Sequence, residues 1–391
     1  SERISSYIQL FYSLPVFDNG YLSSSLGLNQ FYTIYNDRND TPIEKVQGQT
    51  TYDDQMLLLR SEYQHFFNDK SILTVGTEFG NDQSKADVIN SIYTQPTQRT
   101  LALFGQLKKN ISTLWKIDAG IRYDHRWVRG GKNYTKKIFE AISPKFNLYF
   151  QSTPTKQYHF SINRGFRAPS ISELFLEHES SYGLQFRGNS TLQPEYLTAA
   201  EIGFKNHANQ KYTYFTNIFY NYYNDMIDFV YSIPVESLNR TNVKGYGFEL
   251  GGDFYLPFNI ARLELSYSYL DMIDLKNKDL PILYRSNHKI KGSIGRKIFN
   301  FTNISLLFNY KSSQKYEDFL SDDHPVIDNI FRFPIENIPE TILFDLQLIK
   351  RINSYKITGI IRNIFDTEYV LIQHYPMPGR TWQINFSKQL N

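Results

Sequence analysis

The sequence lacks cysteine altogether, has no long run of apolar residues and shows no excess of charge of one sign. Without cysteine, the 391-residue chain can form no disulfide, no thiol nucleophile and no cysteine-ligated zinc or iron–sulfur site. No stretch approaches the roughly 18 consecutive apolar residues that a transmembrane helix needs, so helical spanning is excluded. The 42 basic and 39 acidic residues leave a formal net charge of +3 and form no basic arm, so nucleic acid is not an expected partner.

The sequence motifs of enzymes are also missing. Gly245-x-Gly247 is half of a dinucleotide-binding fingerprint, but no helix is predicted after it. The chain contains no nucleophile elbow of the kind that hydrolases use. We therefore expect a protein that is not an enzyme and that holds neither a cofactor nor a metal ion.

Aromatic residues, by contrast, are abundant. The chain has 30 tyrosines and 30 phenylalanines, and aromatics make up 16% of all residues. A soluble core has no obvious use for so many tyrosines, whereas the girdles of a membrane β-barrel consist of aromatic residues at both interfaces.

Apolar and polar residues alternate in short segments along the whole chain, and this pattern predicts about seventeen β-strands. The predicted strands are 2–12, 21–35, 52–67, 71–80, 98–109, 113–123, 140–151, 157–166, 196–207, 211–224, 243–256, 261–270, 287–298, 301–311, 340–351, 354–363 and 380–390. Every second connection is long, and the long ones are 36–51, 81–97, 124–139, 167–195, 225–242, 271–286, 312–339 and 364–379. Outer-membrane barrels join their strands by short periplasmic turns and longer extracellular loops. We therefore expect an all-β fold, a transmembrane antiparallel β-barrel that forms one domain over residues 1–391.

The predicted strand 340–351 shows how the two faces of the wall should differ. Successive residues of a strand point to opposite faces. The row expected to face lipid consists of Ile342, Phe344, Leu346 and Leu348. The row expected to face inward contains Asp345, Gln347 and Arg351. A charge on the lipid side would cost about 2–4 kcal/mol at the bilayer midplane, so the charged rows should face the lumen.

Four sequence motifs occur in a fixed order between Arg167 and Arg380. The first two are Arg167-Ala168-Pro169 and Asn189-Ser190-Thr191-Leu192-Gln193-Pro194-Glu195, and the last two are Asn363-Ile364-Phe365-Asp366-Thr367-Glu368-Tyr369 and Pro376-Met377-Pro378-Gly379-Arg380. They resemble the "FRAP", "NPxLxPE", "NLFDxxY" and "PxPGR" motifs of TonB-dependent outer-membrane receptors. Ser190 departs from that pattern, because the family usually has proline there. We expect Gly379 to supply a turn conformation that is costly to other residues.

The resemblance implies a larger protein than the predicted strands account for. Barrels of this family have roughly 22 strands and a plugged lumen. With about seventeen strands predicted here, the resemblance implies that about five strands and the plug domain are absent from this sequence, which would be the C-terminal portion of the barrel. The odd count would place Ser1 at the same end as the long loops. A distinct barrel without a plug is the alternative.

The resemblance also implies a function: TonB-dependent active import of a large, scarce nutrient across the outer membrane of a Gram-negative cell. The nutrient would be a ferric siderophore, haem or cobalamin. The implied partners are outer-membrane lipid, the TonB–ExbB–ExbD energy-coupling system acting through the plug, and a surface lipoprotein as an additional candidate. A passive porin-like barrel and a structural or adhesin barrel are the alternative functions.

The ligand is expected to bind at the long loops. The loop 167–195, with 124–139 and 312–339, should form the outer vestibule. Aromatic and basic side chains there suit a large planar or anionic ligand. The candidate contacts are His178, Tyr182, Arg187, Trp127, Arg129 and His324. If the ligand is haem, the resemblance implies His178 as an axial ligand of the iron.

Overall fold

The protein is a curved antiparallel sheet of long strands in sequential order. The computed structural model describes residues 2–36, 49–86, 89, 95–130, 136–179, 185–209, 211–230, 234–299, 302–318, 321, 326–327, 330–331, 333–373 and 375–388. Its strands are β1 (Glu2–Pro15), β2 (Gly20–Asn36), β3 (Gln49–Phe66), β4 (Ile72–Ala86), β5 (Thr97–Asn110), β6 (Trp115–Arg129), β7 (Lys137–Thr153), β8 (Lys156–Arg167), β9 (Glu177–Glu179), β10 (Gln185–Arg187), β11 (Glu195–Asn209), β12 (Tyr212–Val230), β13 (Val235–Tyr255), β14 (Arg262–Asp274), β15 (His288–Ile298), β16 (Thr302–Lys311), β17 (Gln314–Glu317), β18 (Val326–Ile327), β19 (Ile330–Phe331), β20 (Ile335–Ile338), β21 (Thr341–Ile352), β22 (Tyr355–Arg362), β23 (Val370–Ile372), β24 (Tyr375–Pro376) and β25 (Thr381–Lys388). The two helical turns are α1 (Ile171–Phe175) and a 3₁₀ turn at Pro257–Asn259.

The strands predicted from the sequence are confirmed one for one. The large sheet has 19 strands, and all of them except the short β9 and β10 are wall strands. Each wall strand pairs antiparallel with the next wall strand along the chain, from β1–β2 through to β22–β25. Among the residues that the structure describes, no helix is long and apolar enough to cross a membrane.

Several wall strands are longer than the sequence predicted. β6 continues to Arg129 and β7 begins at Lys137, so most of the predicted loop 124–139 is strand. β12 and β13 reach Val230 and Val235, and their pairing covers most of the predicted loop 225–242. Those two loop predictions were wrong because the strands continue into polar sequence, where apolar alternation no longer marks them.

The two faces of the wall differ in burial. On the outer side of β5 and β6, Leu103 is 53% exposed and Ile121 is 56% exposed. On the opposite face of the same strands, Ala102 and Val128 are fully buried. The buried face is the inner one, because a folded segment described below packs against it.

The strand β21 has the predicted orientation. The registers of β16, β21, β22 and β25 place the apolar row of β21 on the same face as Trp382, Ile384 and Phe386. The Phe344 ring lies 5.4 Å from that of Phe308 on this outer face. Asp345, Gln347 and Arg351 lie on the opposite, inner face, as the alternation predicted.

The long connections emerge at one end of the sheet and the short turns at the other, as predicted. Glu2 pairs with Ile34, which is next to the long connection between β2 and β3. Lys388 pairs with Tyr355, which is next to the short turn between β21 and β22. Ser1 itself lies outside the described residues. The plug and the additional strands stay predictions.

Candidate functional site

The Arg167 side chain joins three segments at the long-connection end of the wall. Arg167 is the last residue of β8, and its Nη1 donates to both carboxylate oxygens of Glu173, at 2.9 and 3.0 Å. Its Nη2 donates to Glu195 Oε2 and to the Ile227 carbonyl, both at 3.3 Å. The same Glu195 oxygen accepts the Ile227 N–H at 2.9 Å. The first and last charged residues of the two central motifs therefore form one network.

The helix α1 follows directly after Arg167 and was not predicted from the sequence. Ser170 Oγ accepts the Glu173 N–H at 3.2 Å, and the Glu173 carboxylate accepts the Ser170 N–H at 2.8 Å. This reciprocal pair is a capping box, which fixes where the helix begins. The spacing Ser170-x-x-Glu173 was the available sequence signal. A five-residue helix is too short to show apolar periodicity, so only the capping box could have revealed it.

We call the described residues 168–179 and 185–194 the cap. Its apolar side chains pack against the inner face of the wall and against the end of β12. This cluster consists of Ala168, Leu174, Phe175 and Leu192 from the cap with Val128, Phe139 and Ile227 from the wall. Burying each of the larger side chains contributes about 1.5–3 kcal/mol, so the cluster holds the cap firmly in place.

The second central motif fastens the other end of the cap. The Asn189 N–H donates to the Glu173 carbonyl at 2.8 Å, and its side-chain amide donates to the Ser237 carbonyl at 3.1 Å. Asn189 Oδ1 also accepts the Thr191 N–H at 2.9 Å, which forms a local turn. Ser190 needs no proline ring for this turn, and its carbonyl accepts a hydrogen bond from Lys137 Nζ.

The cap contains two of the residues predicted to contact the ligand. His178 lies on β9, half-buried, with its ring 6.3 Å from that of Phe186 on β10. Arg187 lies exposed at the end of β10, whose backbone pairs in parallel with the start of β13. Tyr182 and His324 lie outside the described residues. Within the described part of the chain, no group of three or more histidine, cysteine or acidic side chains could hold a metal ion.

Trp127 and Arg129 are placed differently from their prediction. Both lie on β6 in the row of Ile121, which is the outer face, and not in a loop across the mouth. The Lys136 ammonium lies 5.6 Å from the centre of the Trp127 ring on that face. The wall therefore separates Trp127 and Arg129 from the face that the cap covers.

Charged side chains on the inner face of β3–β6 pair with one another. Arg60 lies 3.0 Å from Glu62 and 3.6 Å from Glu78. Arg122 lies 3.0 Å from Glu78 and 2.9 Å from Asp124. Both guanidinium groups also lie over the Phe104 ring, at 4.9 and 6.0 Å. We call the five charged residues the paired patch.

The two C-terminal motifs meet through one carboxylate. Asp366 Oδ1 accepts the Arg380 N–H at 2.6 Å. A Cβ atom on Gly379 would lie 2.5 Å from the same oxygen. Gly379 does not adopt the left-handed backbone that we expected of it. The glycine is required because Asp366 approaches too closely for a side chain.

The remaining residues of these motifs shape the turn after β22. Asn363 has a positive φ of 50°, and its amide bonds both the Thr367 carbonyl and the Thr367 N–H, at 2.8 and 2.9 Å. The Asn363 N–H donates to Asp345 Oδ1 at 2.8 Å, which connects the turn to the inner face of β21. Phe365 packs edge-on against the Phe344 ring at 5.3 Å, and the Tyr369 carbonyl accepts the Met377 N–H at 3.0 Å.

Comparison with known proteins gives consistent matches. The family model described as "TonB dependent receptor-like, beta-barrel" matches residues 4–366. A vitamin B12 transporter, BtuB, of Vibrio cholerae is 25% identical over 283 residues, which cover 70% of this chain and 40% of that protein. The chain therefore spans less than half the length of this curated relative.

Solved structures match nearly the whole chain in fold. The copper transporter OprC superposes with a TM-score of 0.82 at 14% identity, covering 98% of this chain and 65% of that one. The FrpB iron transporter from Neisseria meningitidis has a TM-score of 0.76 at 13% identity, covering 98% and 62%. A variant of the ferric enterobactin receptor PfeA from Pseudomonas aeruginosa has a TM-score of 0.77 at 15% identity, covering 98% and 61%. At such low identity these likenesses show the fold alone.

Proposed function

Because the chain belongs to the TonB-dependent receptor β-barrel family, we propose that it forms the ligand-admitting wall of a receptor that actively imports a large, scarce nutrient. The family consists of outer-membrane transporters and receptors, not enzymes. The nutrient is a ferric siderophore, haem or cobalamin. The names of the similar proteins support this range, since they include a vitamin B12 transporter, an iron transporter and a ferric enterobactin receptor.

The observation that carries the proposal is the cap held inside the long-connection end of the wall. A receptor must bind its ligand at the outer mouth and keep the site in a fixed shape. The Arg167 network and the apolar cluster of the cap supply that rigidity. A passive porin-like barrel needs no such fastening, and none of the similar proteins named above is described as a porin.

Energy for uptake has to come from the inner membrane. We propose that TonB–ExbB–ExbD supplies it through the plug domain that the resemblance implies, and that a surface lipoprotein is an additional partner. This chain would bind, enclose and release the ligand without changing it chemically.

Within the cap, His178 and Arg187 are the proposed ligand contacts, with Tyr182 and His324 as further candidates from the sequence. We leave out Trp127 and Arg129, because they lie on the outer face. If the ligand is haem, His178→Ala should abolish uptake and change the haem absorbance spectrum. For another ligand, the same substitution should cost about 1 kcal/mol of binding, the value of one hydrogen bond.

A growth experiment tests the proposal. A host that lacks its own receptors receives the intact receptor and is grown on haem, a ferric siderophore or cobalamin as the sole source. We expect rescue by one of the three, and loss of that rescue when TonB is deleted. Rescue that persists without TonB would indicate a passive barrel, and rescue by none of the three would refute nutrient uptake as proposed.

A further inference from the structure

Four cations on and next to the inner face of β15 and β16 form no ion pair with any carboxylate in the described part of the chain. Lys289 and Lys311 are directly opposite each other across the two strands. Lys291 follows two residues along the same face of β15, and Arg285 lies just before that strand. The positive charges of Lys311, Arg285 and Lys291 all act on Lys289. We call these four residues the basic wall.

The registers place the basic wall on the inner face. Residues paired directly across two strands lie on the same face. The pairs can be followed from the buried inner row of β6, strand by strand, to Ser268 on β14, which is opposite Lys289. Glu249, opposite Ser268 on the far side, lies two strands away, roughly 9–10 Å from Lys289. None of the carboxylates that the structure describes forms an ion pair with the basic wall.

Like charges directly opposite each other destabilise a sheet. Lys289 and Lys311 therefore lower the stability of the wall unless a negative charge from outside this chain, on the ligand or on the plug domain that the resemblance implies, lies between them. The lysines are also not needed for packing, because the apolar row on the outer face of β15 and β16 already buries these strands in lipid. The arrangement is explained if these side chains bind an anion.

A cavity at the long-connection end continues the basic wall. It has a volume of about 260 Å³ and includes Arg285 in its lining. Its other polar lining residues are mainly Lys278, Lys315, Asn287 and Asn337, together with the carboxylates Asp271 and Asp274. Asp274 is paired with Arg240, and Asp271 accepts a hydrogen bond from the Tyr246 hydroxyl. The backbones of Tyr284 and Lys315 pair at 2.8 Å, and those of Ser312 and His288 at 2.9 Å, so the β15–β16 hairpin extends into this cavity. The cavity therefore adds Lys278 and Lys315 to the cations of the basic wall.

We propose that the basic wall binds anionic oxygen atoms of the imported ligand. This assignment rests on the proposed function and narrows it to a ligand with several carboxylate or catecholate oxygens, such as a ferric tris-catecholate. Ammonium and guanidinium groups form charge-assisted hydrogen bonds with such oxygens, roughly twice as strong as neutral ones. The cavity has room for one arm of such a ligand, with the rest lying against Lys289 and Lys311. Haem offers the same chemistry through its two propionates, whereas cobalamin has a single anionic group, its phosphodiester.

The experiment uses the intact receptor and compares two sets of substitutions. The first is the double variant Lys289→Gln with Lys311→Gln, which removes the opposed charges. The matched control is Lys297→Gln, on the same strand and the same inner face but at the short-turn end. Binding is measured with ferric tris-catecholate, haem and cyanocobalamin as separate probes.

We expect the double variant to lose affinity for one anionic probe by roughly tenfold or more, with the control unchanged. The anionic probe that shows the loss, catecholate or haem, identifies the source of the oxygens. Equal binding by the double variant and the control would overturn the assignment, and so would an equal loss for cyanocobalamin. An intact receptor that takes up only cobalamin would refute the basic wall and leave nutrient import standing.

Folding is checked in parallel through the amount of receptor in the outer membrane and its thermal unfolding. Because the double variant removes repulsion, it should be at least as stable as the wild type. A clear loss of stability would show that the lysines have a structural role, and would also overturn the assignment.

Discussion

The paired patch on β3–β6 and the basic wall on β15–β16 lie on the same inner face, but the charges of the first are paired with opposite charges and those of the second are not. In the paired patch, Arg60 and Arg122 bridge Glu62, Glu78 and Asp124 at 2.9–3.6 Å. In the basic wall, Lys289 and Lys311 oppose each other with no described carboxylate in contact. The first arrangement is complete within the chain, whereas the second needs a negative charge from elsewhere.

The difference separates two roles for charged residues in a lumen. Charges that neutralise each other hold neighbouring strands together, each exposed pair contributing up to about 1 kcal/mol. Charges that repel each other lower the stability of the wall itself. They become favourable only when a negatively charged ligand binds between them, and substitutions in the two regions should therefore have opposite effects on stability and binding.

The largest expected effect comes from reversing one charge of the basic wall. Lys289→Glu would give Lys311 an internal partner and would place a negative charge where we propose that ligand oxygens bind. Affinity for the anionic ligand should fall by roughly a hundredfold or more, because both attraction is lost and repulsion is added. Equilibrium binding of the ligand to the intact receptor measures this affinity, with Lys297→Glu as the control. Unchanged affinity would show that the basic wall does not bind the ligand and does not differ in role from the paired patch.

A smaller effect is expected where paired charges hold the cap. Arg167→Ala would leave the Glu173 and Glu195 carboxylates facing each other, so the cap should lose about 2 kcal/mol of stability. Amide hydrogen exchange at residues 171–175 reports the opening. Arg164→Ala is the control, since Arg164 lies on the same strand but stacks on the Tyr196 ring outside. Equal protection in the two variants would show that the apolar cluster alone fixes the cap.

Substitutions in the paired patch should change the free energy of unfolding less, because the charged side chains of the patch are partly exposed. Arg122→Met would leave Glu78 and Asp124 without their shared partner and should lower the free energy of unfolding by about 1 kcal/mol. Adding Glu78→Gln and Asp124→Asn should recover most of that loss. Urea unfolding of the intact receptor in lipid measures the stability of the single and of the triple variant. If the single variant is as stable as the wild type, pairing is not what these charges contribute.

The smallest effect concerns salt. Raising the ionic strength should weaken binding of the anionic ligand, because screening acts on the exposed lysines. The free energy of unfolding should change by less than about 0.5 kcal/mol, since the short contacts of the paired patch are screened little. Ligand titrations and unfolding curves at low and high salt give the comparison. Binding that does not depend on salt would argue against the basic wall.

The sequence predicted the wall well because membrane strands alternate apolar and polar residues at a period of two. The prediction failed where that signal ends. β6 and β7 extend with polar residues, so Trp127 and Arg129 were assigned to a loop when they lie on the outer face. The capping box of α1 is present in the sequence, but it begins a helix too short to show apolar periodicity. The spatial reason for Gly379 depends on Asp366, which is distant in sequence and which no local pattern reveals.

The candidate site was the least predictable part. The motif residues Arg167 and Glu195 could be recognised, but their shared network depends on Glu173 and on the Ile227 backbone, which enter from other segments. The basic wall was missed for a similar reason. Lys289 and Lys311 lie on consecutive predicted strands, but only the register of β15 and β16 shows that they are directly opposite each other.

The length of β13 has a mechanical consequence for the mouth of the receptor. Residues 235–242 continue past the point where β14 ends, since Val243 is opposite Asp274. At roughly 3.3 Å per residue, this extension stands about 25 Å beyond its neighbour along the strand direction. It remains hydrogen-bonded to β12 over that distance and contacts the cap through β10. One side of the mouth is therefore a rim stiffened by strand pairing, and force applied to it would pass directly to β12 and to the cap.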